Sequence, residues 1–322
     1  MAAGGASAEA HPNIALVKYW GKRPGVDNVP ATPSLSITLS QLRTRTRVDL
    51  EDAAGVRVRL NGAIVQDAKI DACVERLLAR APHCPSGLRI ETDNNFPTAA
   101  GLASSASGFA ALITAMDAAL ELHMTDEERS LEARRASASA ARSLYGGFVT
   151  LHGSNDPDTW IARPELSAAA WPLAVVIAIC ATKRKDVSSG EGMRRSTTSP
   201  YYSRWTEIAA VDFDGARAAV AARDFARLAG IAENNCLAMH AVMLSARPSL
   251  LYWNGATVDC MACISALRAA GEPVFFTIDA GPQVKAVCEP GAARRVRAAL
   301  AQVPGVEEVL VVGLGEAARL TA

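Results

Sequence analysis

Apolar and polar residues change their spacing several times along this chain, and each change marks an element. Ser34–Leu39 and Thr44–Glu51 alternate or carry β-branched side chains, which predicts strands. Val56–Arg59 and Ala63–Val65 flank Asn61-Gly62, a pair that takes positive φ readily, so a hairpin is predicted there. Asp71–Arg80 has helical spacing and Leu88–Thr92 reads as a strand. A loop over Asp93–Gly101 then runs into a helix of small residues, Ala103–Glu121. Thr125 with Glu128 makes a capping box for another helix, which breaks near Arg135–Ser139 and resumes until Gly146-Gly147. Trp171–Ala181 is an apolar strand, followed by a basic loop and helices over 201–246 and 256–270. A strand over 273–279, a helix over 291–302 and a strand over 307–313 close the chain. Strands and helices mix without a regular βαβ repeat, which predicts an α+β fold. Residues 1–10, small and polar, read as a flexible tail and not as a signal peptide. The remainder divides into domains over 11–170 and 171–322.

Composition narrows the function classes. Half of the 322 residues are hydrophobic and a fifth are charged, the balance of a globular protein with a substantial core. Lys plus Arg and Asp plus Glu each total 33, so the basic excess of a nucleic-acid binder is missing. A small polyanion needs only a local cationic cluster, which this balance permits. The longest apolar run is too short to cross a bilayer, so no membrane partner is expected. The seven cysteines fit a reducing cytoplasm, with Cys260 and Cys263 on one face of a buried helix. His11, His83, His123, His152 and His240 are scattered, so a protein-held transition metal is not expected.

The segment NNFPTAAGLASSAS, Asn94 to Ser107, carries the first mechanistic content. Pro97 and Gly101 shape a loop, and Ala99, Ala100, Ala103 and Ala106 let a ligand approach the backbone closely. The helix that follows presents unpaired N–H groups and the positive end of its dipole, a site for phosphate. Ser104 and Ser105 add hydroxyls that cap the helix, hold a phosphate oxygen or reach Mg²⁺. No Gly-Lys-Ser/Thr follows at Walker A spacing, and a serine-capped helix packed through alanines is the plain alternative.

The string Pro-x-x-x-Gly-Leu-x-Ser-Ser-Ala resembles the phosphate loop of the GHMP kinases. The resemblance implies that Pro97, Ala100, Gly101, Leu102, Ala103, Ser104 and Ser105 bind ATP, with Ser105 the contact to Mg²⁺. NIALVKYWGKR (Asn13–Arg23), ARRASASAARSLYGGF (Ala133–Phe148) and FFTIDAGP (Phe275–Pro282) are similar to the diphosphomevalonate decarboxylase branch of that superfamily. PSLSITL (Pro33–Leu39) and KDVSSGEGM (Lys185–Met193) add to it, and all five stand in the family's order.

This resemblance implies a GHMP kinase fold, with an N-terminal ATP-binding domain like domain 2 of ribosomal protein S5 and a ferredoxin-like C-terminal domain. It also implies a cytoplasmic homodimer that uses ATP and Mg²⁺ to decarboxylate 5-diphosphomevalonate to isopentenyl diphosphate.

The chemistry makes three demands. A carboxylate must accept or align the tertiary hydroxyl that attacks the γ-phosphate, and the resemblance assigns this to Asp279, where a turn-forming Asp is the plain alternative. The substrate carboxylate needs a planar fork, which Arg142 offers, with Asn13 holding that arginine in place by the same resemblance. The charge of two anionic ends must be offset. The resemblance places Lys18 with Asp279 and Arg142, and sets Tyr19, Lys22, Ser137 and Ser139 on the substrate diphosphate. Ser189, in a flexible basic loop after Lys183-Arg184-Lys185, matches a serine near the reacting phosphates.

Some positions depart from the family. Ala136 and Ala138 stand where glycine is common and Ala141 where cysteine is frequent, and alanine does not take positive φ cheaply. Gly190 and Glu191 replace Thr, Arg or a neutral residue, and Glu191 either faces solvent or helps to hold Mg²⁺. These changes bear on the 5-substituent, so a 5-phosphomevalonate decarboxylase is the nearest alternative. A mevalonate 3-kinase and a non-catalytic GHMP-fold binding protein are the others.

Overall fold

The computed structural model describes residues 4–25, 28–96, 104–181 and 186–322. Its N-terminal half contains β1 (Gly5–Ala10), β2 (Asn13–Val17), β3 (Ser34–Thr38), β4 (Thr44–Glu51), β5 (Gly55–Leu60) and β6 (Ala63–Ile64). Helix α1 (Ala68–Leu78) and β7 (Gly87–Asn94) follow, then α2 (Ser104–Ala119), α3 (Asp126–Ala136), α4 (Ala138–Arg142), β8 (Phe148–His152) and β9 (Ile161–Leu166). The C-terminal half holds β10 (Ala174–Ile179), α5 (Ser189–Ser196), α6 (Tyr202–Ala222), α7 (Phe225–Leu244) and α8 (Gly255–Ala269). It ends with β11 (Val274–Ile278), β12 (Val284–Cys288), α9 (Ala293–Leu300), β13 (Glu308–Gly313) and β14 (Arg319–Thr321).

These strands form a six-stranded sheet in the order β14-β1-β4-β7-β5-β6 and two four-stranded sheets, β2-β3-β8-β9 and β11-β12-β10-β13. The fold is α+β, as the mixed pattern predicts.

Local chemistry explains the elements read correctly from the chain. Asn61 and Gly62 both have positive φ, 49° and 79°, and close the β5–β6 hairpin. Thr125 and Glu128 exchange both bonds of the capping box at the start of α3. The break between α3 and α4 falls at Ser137, whose backbone is extended. The second piece ends at Arg142, earlier than the glycine pair that the sequence points to.

One expectation fails over part of its range. Residues 5–10 do not belong to a flexible tail, because Gly5–Ala10 forms β1, paired with β14 on one side and β4 on the other. Its sequence, GASAEA, has little hydrophobic signal, and two-sided pairing stabilises it instead, with Ala8 and Ala10 fully buried. Strand β14 returns the C-terminal segment to the N-terminal sheet, where it lies beside β1. Deleting residues 1–10 should therefore cost about 3 kcal/mol or more, since both neighbours of β1 lose their ladder bonds. Urea denaturation followed by circular dichroism measures it.

The apolar core positions the chemistry. One cluster joins Ile14 and Leu16 of β2, Leu35 and Ile37 of β3, Val175 and Ile177 of β10, and Phe275 of β11, with α6 and α7 packed against them. Thr277 of β11 donates to the Ala15 carbonyl of β2 at 3.2 Å, so these two strands lie side by side. Whatever follows their last residues, Val17 and Ile278, must emerge close together.

Candidate active site

Lys18 follows β2 and Asp279 follows β11, and they meet across 261 residues with Nζ 2.7 Å from Oδ1. A third group joins them. Lys285, in the middle of β12, places Nζ 3.1 Å from the other carboxylate oxygen, Oδ2. Both lysines are almost wholly buried, with side chains 1% and 2% exposed. Burial by itself would raise the Asp279 carboxyl, but the charges and hydrogen bonds of Lys18 and Lys285 outweigh it. The carboxyl is held well below the usual range and is ionised at neutral pH.

The support for this carboxylate is firm. The turn from Asp279 to Gln283 is tied at both flanks: Thr257 donates to the Pro282 carbonyl at 2.8 Å, and Gln283 Oε1 accepts the Cys180 amide at 2.6 Å. The Lys18 amide donates to Asn235 Oδ1 at 2.8 Å, and Asn235 Nδ2 donates in turn to Asp212 at 2.9 Å.

Arg142, the last residue of α4, is buried at 2% exposure. Its Nη1 donates to Ser34 Oγ at 2.7 Å and its Nη2 to Asn13 Oδ1 at 3.3 Å, while Nε has no partner among the described residues. Asn13 is itself fixed, donating to the Ser139 carbonyl at 2.9 Å and to Ser143 Oγ at 2.7 Å. Among the described residues no carboxylate forms a salt bridge with Arg142. Burial pushes its guanidinium down to about 10, and the nearby charge of Asp279 works against that fall. A buried cation held only by neutral groups is costly unless an anion completes it.

The remaining candidates spread around this centre. Tyr19 is packed near Arg142 and Arg134, and burial raises its hydroxyl far above the ordinary value. Trp20 is anchored on both sides, its Nε1 donating to Ser196 Oγ and its carbonyl accepting Trp205 Nε1. Gly21 has φ +110°, and a Cβ there would meet the Tyr202 hydroxyl at 2.2 Å, so only glycine fits. Lys22 is exposed and donates to Asn28 Oδ1 at 2.6 Å. Ser137 and Ser139 lie with their hydroxyls 3.1 Å apart where α4 begins.

Ser189 is not in a flexible loop. It opens α5, with Ser188 as the cap accepting the Glu191 amide. Glu191 is held by Arg194 at 2.6 Å and Arg195 at 2.8 Å, and these bonds bring its carboxyl down to about 2. Its charge is thereby offset within the helix. Ala136, Ala138 and Ala141 all keep negative φ, so alanine costs no strain in place of glycine. Ser104 and Ser105 are the first residues of α2, whereas Pro97, Ala100, Gly101, Leu102, Ala103 and Lys183–Lys185 lie outside the described residues.

Reading the chain alone missed Lys285 and Ser34. A single lysine inside the apolar stretch VKAVC was the available signal for the first. Ser34 carried none, because a serine opening a strand is commonplace.

The fold, with a carboxylate gripped by two buried lysines, defines an enzyme of the GHMP kinase type. Residues 10–162 match the diphosphomevalonate decarboxylase-like N-terminal domain, and residues 175–309 match the mevalonate 5-diphosphate decarboxylase C-terminal domain. Diphosphomevalonate decarboxylase of Candida albicans is 34% identical over 297 residues, 86% of this chain and 82% of that one. The solved mevalonate diphosphate decarboxylase of Staphylococcus aureus is 34% identical with a TM-score of 0.93, covering 99% of this chain and 98% of its own. A solved complex of MDDEF with MVAPP, AMPPCP and magnesium is 35% identical with a TM-score of 0.92, covering 99% of both chains. The chain belongs to the diphosphomevalonate decarboxylase family.

Proposed function

We propose that this enzyme uses MgATP to convert (R)-5-diphosphomevalonate to isopentenyl diphosphate, ADP, phosphate and CO₂, a step of isoprenoid biosynthesis. The observation that carries the reading is Arg142, a buried guanidinium that forms no salt bridge with a carboxylate among the described residues, set close to an ionised Asp279. A 3-hydroxy acid, with its hydroxyl on a branched carbon and its carboxylate on the neighbouring carbon, fits this pair.

In this reading Asp279 accepts the hydrogen bond of the tertiary hydroxyl and aligns its oxygen with the γ-phosphoryl group. Lys18 offsets the charge that gathers there. Once the phosphate ester has formed, the carbon–oxygen bond to phosphate and the bond to the carboxylate carbon break. The electron pair of the latter becomes the new double bond. Arg142 holds the departing CO₂ in line, with Asn13 and Ser34 fixing the guanidinium plane. Tyr19, Lys22, Ser137 and Ser139 take the 5-diphosphate, and Ser189 stands near the reacting phosphates. Residues 97–105 carry ATP, with Ser105 reaching Mg²⁺. The complex of MDDEF with MVAPP, AMPPCP and magnesium supports both the nucleotide and the metal.

The same reading makes the protein a homodimer of the cytoplasm, where its free cysteines stay reduced. No helix among the described residues is long and apolar enough to cross a membrane.

Incubation with ATP and each phosphorylated mevalonate, with ADP and CO₂ both measured, tests this function. Equimolar ADP and CO₂ from the 5-diphosphate is the expected result. Preferential CO₂ release from 5-phosphomevalonate would move the assignment to the monophosphate. ADP without CO₂ would indicate a 3-kinase, and neither product a binding protein.

A further inference from the structure

Lys285 occupies a position that strand geometry reserves for an apolar side chain. Its neighbours Val284 and Ala286 face one buried cluster, so alternation turns Lys285 toward the other, on the side of Val287 and Phe275. Register pairs it with Thr277, the residue that binds β11 to β2. A buried ammonium costs several kcal/mol unless it is paired. The carboxylate available to it, Asp279, already serves Lys18. A structural ion pair would balance one to one, whereas here, among the described residues, two buried lysines share one carboxylate. The arrangement leaves one positive charge in excess beside the group that aligns the substrate.

We propose that Lys285 is a positioning residue for the reaction, gripping Oδ2 of Asp279 so that, with Lys18 on Oδ1, the carboxylate plane is fixed toward the substrate hydroxyl. The inference rests on the reading of Asp279 given above. One lysine on one oxygen would leave the carboxylate free to rotate about its Cβ–Cγ bond. Two lysines from separate parts of the fold, Lys18 just after β2 and Lys285 within β12, remove that freedom, which matters because a misplacement of about 1 Å costs about 10²-fold in such chemistry. The groups that face Asp279 are Lys18 after β2, Lys285 on β12, Arg142 on α4, and Cys236 and His240 on α7. Burial takes His240 down to about 3, so it stays neutral and Lys285 supplies charge that no histidine there replaces.

The test uses full-length Lys285→Met, which keeps the side chain's length and removes its charge, with Lys285→Gln read identically should the methionine variant fail to fold. Thermal melting establishes that the variant is folded. Carbon-13 NMR of the ligand-free protein, with the Asp279 resonance assigned from Asp279→Asn, follows the carboxyl titration without any turnover. Loss of one adjacent cation should move that titration upward by about one pH unit or more. The acidic limb of kcat should move with it, and kcat at neutral pH should fall about tenfold, while KM for the phosphorylated mevalonate changes less than about twofold. A folded variant whose Asp279 titrates as in the wild type, with kcat unchanged, overturns the proposal. Wild-type protein that releases no CO₂ would instead overturn the functional reading, and the NMR titration would still decide whether Lys285 governs Asp279.

Discussion

Asp279→Ala should lower CO₂ release by about 10³-fold or more while leaving ATP binding intact. The expectation follows from position. The carboxylate stands where two buried lysines converge, on a turn tied to β10 and α8, and the phosphate-loop helix is supplied by another part of the chain. Removing an aligned acceptor typically costs 10²–10⁴-fold. Here the loss should lie toward the upper end, because alanine also leaves Lys18 and Lys285 facing each other unneutralised. Asp279 is held ionised well below the usual carboxylate range, so its own titration should set no limb in the wild-type profile near neutral pH. Nucleotide titration by fluorescence and CO₂ trapping together check the result. Wild-type turnover in this variant would refute the role given to Asp279.

Arg142→Lys preserves the charge and should still lose about 10²-fold in kcat. Arg142 uses its planar fork in both directions, toward Ser34 and toward Asn13, with Nε left over in a buried site. A lysine ammonium reaches one of those partners at best and presents a point charge where a bidentate contact is required. Asn13 would then keep its bonds to Ser139 and Ser143 but lose its guanidinium neighbour. Uncoupled ATP turnover is the informative readout. If the substrate carboxylate is held by Arg142, phosphoryl transfer should survive better than decarboxylation, so ADP should exceed CO₂. Equal loss of both products would show that Arg142 acts before the phosphoryl step.

Much of this molecule was legible without coordinates, but unevenly. The hairpin at Asn61-Gly62 and the capping box at Thr125–Glu128 were readable because adjacent residues settle them. The interaction of Asn13 with Arg142 came from family resemblance and has its counterpart in the 3.3 Å contact. By contrast β1 and β14 were invisible. GASAEA and RLT have weak patterns, and each strand exists because the other and the sheet are there. Helix α5 was misread as a loop because glycines at 190 and 192 and a basic run before it look like breakers, while Ser188 caps it and Glu191 with Arg194 and Arg195 stabilise it.

The order of residues alone determined the family, the turns and caps, and the kinds of groups available for catalysis. Those depend on neighbours a few positions away, or on motifs that survive as strings. Tertiary structure decided which cations surround Asp279, which neutral groups hold Arg142, and that Lys285 lies against Asp279 at all. Coulomb energy varies with distance through space and with the loss of water, and neither is encoded in how far apart two residues stand along the chain.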